Sequence, residues 1–214
     1  MRTILVANPK GGSGKTTLVT NIAGWLAGKR QAVAIADADP QQSATEWLAR
    51  RPELFPTIER WDPAAKRSGG DGGPAWLIVD SPAGAHGDVL RETMRRSDVM
   101  LVPVSPSSFD MSATQRFFAA IAEFRGVKQG TLPIGLVGMR VDARTHSAAE
   151  LDEFLKGLEL PVITHLRDTQ NYVHCARDGA SIFDLPRSRA EQDQEQWRPL
   201  TRWISRQTLT RQAA

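Results

Sequence analysis

The residues "ANPKGGSGKTT" (7–17) are the most informative about the fold, because they join an apolar run to a helical pattern through a glycine-rich turn. The run "TILVA" (3–7) predicts a strand, and Leu18, Ile22 and Leu26 recur at the spacing of one helical face. Backbone N–H groups at glycines can turn toward an anion, which the positive end of the following helix also attracts. The stretch therefore predicts a phosphate-binding loop between a strand and a helix.

The two lysines of this loop depart from the common phosphate-loop pattern G-x-x-x-x-G-K-[ST]. Pro9 occupies the position of the first glycine, and Lys10 precedes the glycines as a second lysine. In the common pattern the lysine before the threonine, here Lys15, reaches the β- and γ-phosphates, and the hydroxyl of Thr16 binds Mg²⁺. We expect both residues to act in this way, whereas the pattern alone does not explain Lys10.

Three acidic residues that follow apolar runs extend the predicted site. Asp80 ends "WLIVD" (76–80), where a carboxylate can hold Mg²⁺, usually through water; a turn or a helix N-cap is its alternative role. Asp37 and Asp39 open "DADPQQSAT" (37–45) beside the same crevice. Asp39 is the candidate for positioning the attacking water and a further candidate metal ligand, with Asp37 as a second participant.

Apolar runs alternate with helical patterns along the chain, as in a parallel sheet with crossover helices. Strands are predicted at 3–7, 32–37, 76–80, 99–104, 133–139 and 161–165. Helices are predicted at 15–27, 41–50, 87–96, 111–125, 147–157, 170–178 and 191–208. Because the strands are continuously apolar, we expect both faces of the sheet to be covered. The predicted fold class is α/β: a doubly wound, mostly parallel sheet flanked by helices, of the P-loop NTPase type.

Length and composition indicate one ordinary globular domain over residues 1–214, with 41% hydrophobic and 24% charged residues. Within it, residues 62–75 predict a mobile surface loop, and residues 190–214 predict a C-terminal helix and tail. The lone Cys175 excludes an internal disulfide and a CxxC metal site. Neither a membrane span nor a signal peptide is recognisable, so we expect a cytoplasmic protein. The net charge of +3 permits binding to nucleic acid without requiring it.

Three motifs together resemble the ParA/MinD group of ATPases, whose Walker A loop is deviant. They are "KGGSGKTT" (10–17), "DADPQ" (37–41) and "LIVDSPAG" (77–84). Two later stretches, "GMRVDART" (138–145) and "RDTQNYVHCARDGASIFDLP" (167–186), are similar to later segments of the same group. The resemblance covers nearly the whole chain and points to small ParA partition ATPases without an N-terminal DNA-binding domain. It implies an ATP hydrolase that needs Mg²⁺.

The resemblance also gives the second lysine a role. It implies that Lys10 reaches across a sandwich homodimer to the phosphates of the nucleotide held by the other subunit. A cation supplied in trans couples ATP occupancy to dimerisation, because two facing polyphosphates would otherwise repel each other. The implied catalytic residues are Lys10, Lys15 and Asp39, and residues 80–84 would sense the γ-phosphate. The implied nucleotide-binding residues are Lys10, Gly11, Gly12, Ser13, Gly14, Lys15, Thr16 and Thr17, with Asp184 and Pro186 approaching the adenine.

Basic residues are expected to bind DNA without sequence preference, as in ParA proteins. Arg144 matches an arginine that has this role in chromosomal relatives, and a local ion pair with Asp142 is the alternative. Arg167 lies in a second such segment, although Gln170 replaces an arginine there. Further candidates are Arg202, Arg206 and Arg211.

The C-terminal stretch supports two interpretations. Trp197, Leu200, Trp203 and Ile204 share one helical face, as in a terminal helix that packs on the sheet. An interfacial membrane helix, such as the one of MinD, has the same pattern. We favour packing on the sheet over membrane binding, and we expect Pro199 to interrupt the start of the helix.

The resemblance implies a nucleoid-associated ATPase that partitions a plasmid or chromosome with a ParB-like partner. One alternative is the positioning of a protein cargo, such as a chemoreceptor cluster or a carboxysome, through a cargo adaptor. Another alternative is a MinD-like membrane-associated ATPase. Nitrogenase iron proteins share the loop but need two cysteine ligands per subunit, which excludes them here. A ligase such as dethiobiotin synthetase would not need the second lysine.

Overall fold

The structure, a computed structural model, describes residues 1–61, 73–84 and 87–210, and side chains as far as residue 207. Most of the loop predicted at 62–75 lies outside the described residues, and so does Arg211. Because those residues are not described, the predicted mobility of the loop stays a prediction.

The strands of the described chain form one sheet in which every pairing is parallel. They are β1 (Arg2–Val6), β2 (Val33–Asp37), β3 (Glu59–Arg60), β4 (Trp76–Asp80), β5 (Val99–Val104), β6 (Ile134–Gly138) and β7 (Val162–His165). Their order across the described sheet is β3-β2-β4-β1-β5-β6-β7. The side chains of β4, β5 and β6 are buried throughout, which confirms that both faces are covered.

Helices cover the two faces of this sheet. They are α1 (Lys15–Gly28), α2 (Ser43–Ala49), α3 (Gly87–Arg95), α4 (Ser108–Ile121), α5 (Arg125–Lys128), α6 (His146–Gly157), α7 (Gln170–Asp178) and α8 (Arg187–Thr210). One apolar core joins the sheet to α1, α2, α7 and α8, and a second joins its other face to α3, α4 and α6. The predicted doubly wound α/β fold is therefore confirmed.

The sheet brings the carboxyl ends of three strands together beside the glycine-rich loop. Val6 at the end of β1 lies in register with Asp80 at the end of β4, and Asp80 lies in register with Asp37 at the end of β2. In open α/β sheets, ligands bind in the crevice at this edge of the strands. The register thus places the loop and the acidic residues of two separate motifs at one site.

Two short elements have no signal in the sequence, and the helix predicted at 111–125 begins earlier than expected. The strand β3 has two exposed residues at the edge of the sheet and therefore carries no apolar run. The helix predicted at 111–125 is two helices, because residues 122–124 form a turn between α4 and α5 in which Phe124 has an extended backbone, with a ψ angle of 128°. The first of them begins at residue 108, where the Ser107 hydroxyl accepts a hydrogen bond from the backbone N–H of Asp110 at 3.4 Å.

The C-terminal helix corrects the expectation about Pro199. α8 runs without interruption from Arg187 to Thr210 with Pro199 inside it, and it begins four residues earlier than predicted. Proline in a helix interior costs about 3 kcal/mol through a lost hydrogen bond and a clash. Burial of Trp197, Leu200 and Ile204, each 0% exposed, offsets this cost. The apolar face of the helix is therefore part of the core, which confirms the packing interpretation.

Candidate functional site

The glycine-rich loop closes over the carboxyl end of β1 in the conformation that the sequence predicts. Gly12 and Gly14 have φ angles of 77° and 97°, in the left-handed region that side chains disfavour, and Gly14 is the N-cap residue of α1. A Cβ atom added at Gly11 or Gly12 would meet nothing within 4 Å, so this part of the loop faces open space. The base of the loop is fixed by Asn8, whose buried amide donates to the carbonyl of Pro103 at 2.8 Å.

Lys15 is buried beneath this loop, with a relative exposure of 5%. Its amine donates to the backbone carbonyl of Lys10 at 3.0 Å, within the loop itself. Burial lowers the pKa of Lys15, whereas the carboxylates of Asp80 and Asp39 oppose this shift. A buried cation whose contacts lie at the loop is available for an anion that enters there.

Thr16 and Asp80 meet at the carboxyl ends of β1 and β4. The Thr16 hydroxyl donates to Oδ2 of Asp80 at 2.7 Å, and the second oxygen, Oδ1, is buried without a hydrogen-bond partner. Burial raises the pKa of Asp80 to about 7, and the hydrogen bond from Thr16 only partly opposes the shift. A buried carboxylate oxygen without a partner is unfavourable unless a cation or a proton occupies the site.

The pair Thr16–Asp80 fits a magnesium ion that is bound together with phosphates. Within the described ranges, no group of three or more His, Cys, Asp or Glu side chains is arranged to hold a metal without other ligands. Mg²⁺ commonly takes one or two protein oxygens and completes its shell with phosphates and water. Oδ1 of Asp80 and the Thr16 hydroxyl supply this kind of donor set.

Asp39 and Asp37, although two residues apart, make different contacts. Asp39 accepts hydrogen bonds from the backbone N–H groups of Gln41 at 2.9 Å and Ala83 at 3.0 Å. It thereby connects the acidic motif to the segment after β4, whose Gly84 N–H donates to the carbonyl of Pro9 at 2.7 Å. Asp37 accepts instead from the N–H groups of Asp39 and Thr45, so that its carboxylate fastens the start of α2.

Lys10 lies outside the cavity of its own chain. Its amine is 3.2 Å from Oδ2 of Asp110 on α4, and its backbone N–H donates to the side chain of Asn8 at 2.8 Å. Asp110 is 6% exposed, whereas the neighbouring Phe109 is 80% exposed. The two lysines of the loop therefore point to different places, Lys15 into the site and Lys10 away from it.

A cavity of about 630 Å³ lies between the loop and α7. The predicted residues that line it are Gly11, Gly12, Gly14, Lys15, Thr16, Thr17, Asp39 and Arg167. Lys10, Ser13, Asp80, Asp184 and Pro186 are not among its lining residues. Asp168 and Thr169, just before α7, and Tyr172 and Val173 within it also line the cavity. A cavity of this size can enclose a mononucleotide, whose volume falls within the range of small-ligand pockets.

Asp184 makes buried polar contacts within the fold, as expected of a residue with a structural role. Its carboxylate forms an ion pair with Arg51 at 3.1 Å, and both side chains are almost fully buried. It also accepts from the backbone N–H and the hydroxyl of Ser181, at 2.7 Å each. The structure therefore does not bring Asp184 to the cavity wall.

Arg140 and Met139 are site residues that the sequence reading missed. Both follow β6 directly and line the cavity, and the guanidinium of Arg140 donates to the carbonyl of Gly12. Their position at the carboxyl end of a parallel strand is the signal that could have identified them.

The arginines predicted to bind DNA have different surroundings. The Arg144 side chain is 88% exposed and forms a two-fold contact with Asp142, at 3.0 and 2.8 Å. These hydrogen bonds lower the pKa of Asp142 to about 2. Arg167 is bound to the buried Asp193 at 2.6 Å on the cavity wall. Arg202 and Arg206 are exposed on α8.

Comparisons with known proteins agree with this geometry. The CobQ/CobB/MinD/ParA nucleotide binding domain family matches residues 4–182. The maintenance of carboxysome distribution protein A of Halothiobacillus neapolitanus is 29% identical over 86% of this chain and 87% of its own length. The protein of the same name from Gloeobacter kilaueensis is 27% identical over 96% of this chain and 94% of its own length.

A solved structure extends the similarity to the fold. The ATP complex of a McdA variant from Cyanothece superposes with a TM-score of 0.67 at 18% identity, covering 94% of this chain and 96% of that one. At this identity the likeness concerns the fold alone. Among the described residues, none of the helices combines the length and the hydropathy of a membrane-spanning segment. The family match over most of the chain, together with the two-lysine loop and the parallel sheet, shows that this protein belongs to the CobQ/CobB/MinD/ParA nucleotide-binding family and is of the ParA/MinD type.

Proposed function

We propose that this chain is an ATPase that uses the nucleotide to position a protein assembly in the cell, over the surface of the nucleoid. The observation that carries the proposal is the convergence of Lys15, Thr16 and the unpartnered Oδ1 of Asp80 at the glycine loop. A buried cation, a hydroxyl and a buried carboxylate in this arrangement fit the triphosphate of a nucleotide and its Mg²⁺. The ATP complex of the McdA neighbour is consistent with ATP as the ligand.

The residues of the chain have separable roles in hydrolysis. The amine of Lys15 leaves the carbonyl of Lys10 for the phosphate oxygens, which are stronger acceptors because they are charged. Mg²⁺ would supply charge neutralisation at Thr16 and Asp80. Asp39, whose carboxylate is oriented by two backbone N–H groups, orients the attacking water. The contact of Asp39 with Ala83 connects that step to the segment 80–84, which would sense the terminal phosphate.

Lys10 is proposed to complete the site of a second copy of this chain. Its amine is held by Asp110 on the outside of its own cavity, and its side chain is 36% exposed. The lysine can exchange the single negative charge of Asp110, whose side chain is only 9% exposed, for a more highly charged partner that forms stronger hydrogen bonds with it. The phosphates of a facing nucleotide would provide that partner, and a sandwich homodimer would form only when ATP is bound.

The cargo proposal favours a protein assembly over a plasmid or chromosome. Both curated relatives described above maintain the distribution of carboxysomes, and each is matched over 86% or more of this chain. They therefore support the protein-cargo alternative better than the partition of DNA with a ParB-like partner. An adaptor protein on the cargo would stimulate hydrolysis and release the dimer.

DNA would serve as the surface along which the dimer distributes. The exposed side chain of Arg144, together with Arg202 and Arg206 on α8, offers positive charge for backbone phosphates without base readout. Arg167 is proposed to belong to the nucleotide cavity instead, because Asp193 and the cavity wall hold it. Burial of the apolar face of α8 favours this arrangement over a membrane-binding helix.

Two measurements test the proposal. Binding of the wild-type chain and of Lys15→Ala to ATP with Mg²⁺ tests the site, and retention of normal affinity by Lys15→Ala would refute the assignment. Binding to random duplex DNA with ATP, ADP or no nucleotide, at two salt concentrations and with a liposome control, tests the surface. ATP-dependent binding that weakens with salt is expected; liposome binding without DNA binding would indicate a MinD-like protein.

Deletion of the gene in cells that carry it distinguishes the cargoes. We expect large protein assemblies to lose their even distribution while plasmids are retained normally. Plasmid loss with unchanged assemblies would establish the DNA-partition alternative instead.

A further inference from the structure

Arg140 has a backbone conformation that an arginine rarely adopts. It follows β6 with a φ angle of 53°, in the left-handed region where a Cβ atom is disfavoured. Glycine or asparagine occupies such positions more readily. An arginine held in this conformation next to a ligand cavity suggests a function for its side chain.

The side chain of Arg140 reaches from β6 to the glycine loop. Its guanidinium donates to the backbone carbonyl of Gly12 and, at 3.3 Å, to the hydroxyl of Ser105, the residue directly after β5. The preceding residue, Met139, supports the same loop, because a Cβ atom added to Gly14 would lie 2.8 Å from the Met139 methyl group. Two consecutive residues after β6 therefore contact the two left-handed glycines of the loop.

The electrostatics of the loop explain why a cation bound to the Gly12 carbonyl favours binding of an anion. Carbonyl oxygens carry negative partial charge and repel an anionic polyphosphate, whereas backbone N–H groups attract it. The amine of Lys15 donates a hydrogen bond to the carbonyl of Lys10 at 3.0 Å, and the guanidinium of Arg140 donates one to the carbonyl of Gly12. When a nucleotide arrives, the phosphates draw Lys15 away, but the guanidinium of Arg140 can remain in place.

We infer that Arg140 is a positioning residue for the phosphate loop: it holds the Gly12 carbonyl so that the loop presents its N–H groups to the α- and β-phosphates of the nucleotide. The inference rests on the proposed ATP site. Because these phosphates are common to ATP and ADP, loss of Arg140 weakens both nucleotides alike. It raises the KM for ATP and leaves kcat unchanged, since it removes uniform binding.

The chain offers a matched control for the backbone strain. Arg30, two residues after the end of α1, has a φ angle of 59° and is not among the residues that line the cavity. Asparagine tolerates this conformation, so that Arg140→Asn and Arg30→Asn both remove an arginine without disturbing the backbone. The melting temperature of each variant, measured without nucleotide, checks that the fold is retained.

The experiment measures the dissociation constants of ADP and ATP with Mg²⁺ for wild type and both variants, together with kcat and KM. We expect Arg140→Asn to lose about ten-fold in affinity for each nucleotide, the size of one hydrogen bond from a charged donor, while Arg30→Asn binds as wild type does. Unchanged affinity in Arg140→Asn would overturn the inference but not the proposed function. A loss confined to ATP would also overturn it, because it would place Arg140 on the terminal phosphate. Absence of ATP binding by wild type would overturn the proposed function and the inference together.

Discussion

Replacement of Asp80 by asparagine is expected to stabilise the nucleotide-free protein while it abolishes Mg²⁺-dependent binding of ATP. The carboxylate is 1% exposed, and burial raises its pKa from 3.8 to about 7. The folded protein therefore binds this proton more tightly than the unfolded chain, and the stability from the proton is fully present below about pH 4. That stability is lost as the pH rises through about 7, because the buried group must then ionise.

The size of the expected effect on the free energy of unfolding follows from how far the pKa of Asp80 is raised. Each pKa unit corresponds to 1.36 kcal/mol, so the raised pKa of Asp80 lowers the free energy of unfolding by about 4 kcal/mol at about pH 8, where the folded carboxylate is ionised. At about pH 5 the loss is less than half of that, because the folded group keeps its proton while the unfolded chain has largely ionised. Asparagine cannot ionise, and its amide oxygen can still accept the hydrogen bond from Thr16. Its amide nitrogen would lie without a partner at every pH, as Oδ1 does, so this cost does not vary with pH. The expected stability gain of Asp80→Asn is therefore larger at about pH 8 than at about pH 5 by roughly 2–3 kcal/mol.

Urea unfolding without nucleotide or metal measures this difference directly. The free energy of unfolding would be determined for wild type, Asp80→Asn and Asp88→Asn at both pH values. Asp88 is a matched control because its side chain is 99% exposed and its replacement should have no comparable effect. A stability gain that is equal at the two pH values, or a loss at about pH 8, would refute the reasoning that burial penalises the Asp80 carboxylate.

The remaining predictions concern dimerisation, hydrolysis and DNA. Lys10→Ala should bind ATP nearly as wild type does but fail to form the ATP dimer in light scattering, because the cation supplied in trans is lost; normal dimerisation would contradict this role. Asp39→Ala should slow phosphate release by two or more orders of magnitude and accumulate the ATP-bound dimer, as expected when a water-orienting group is removed. Undiminished phosphate release would show that Asp39 does not orient the attacking water. Asp142→Asn frees Arg144 from its two-fold contact and should tighten ATP-dependent DNA binding a few-fold at low salt, measured by fluorescence anisotropy. Unchanged binding would remove Arg144 from the DNA surface.

The phosphate loop illustrates what the sequence can predict. Its strand, glycines and helix are contiguous in the chain, and left-handed glycines and helical spacing are local properties. The positions of Lys15 and Thr16 at the start of α1 follow directly from them. The strands were likewise predictable, because continuous apolar runs reflect burial on both faces.

The missed and misplaced elements show the limit of local patterns. The two-residue strand β3 is exposed, and α5 contains no buried residue, so neither has a hydrophobic signature. Pro199 predicts a helix break by its own chemistry, but the helix continues because Trp197 and Leu200 are buried against distant parts of the chain. Tertiary packing here overrides a local preference.

The glycine loop for phosphates and the doubly wound sheet can be predicted from local sequence, because dihedral preferences and periodic burial are properties of neighbouring residues. Where the separate motifs meet, in contrast, depends on tertiary packing. The contact of Lys10 with Asp110 spans 100 residues of sequence, and that of Arg140 with Gly12 spans 128. The burial of Asp80, which raises its pKa, and the ion pair that removes Asp184 from the cavity also depend on packing. Contacts and burial of this kind arise from residues far apart in the chain, so no local pattern reports them.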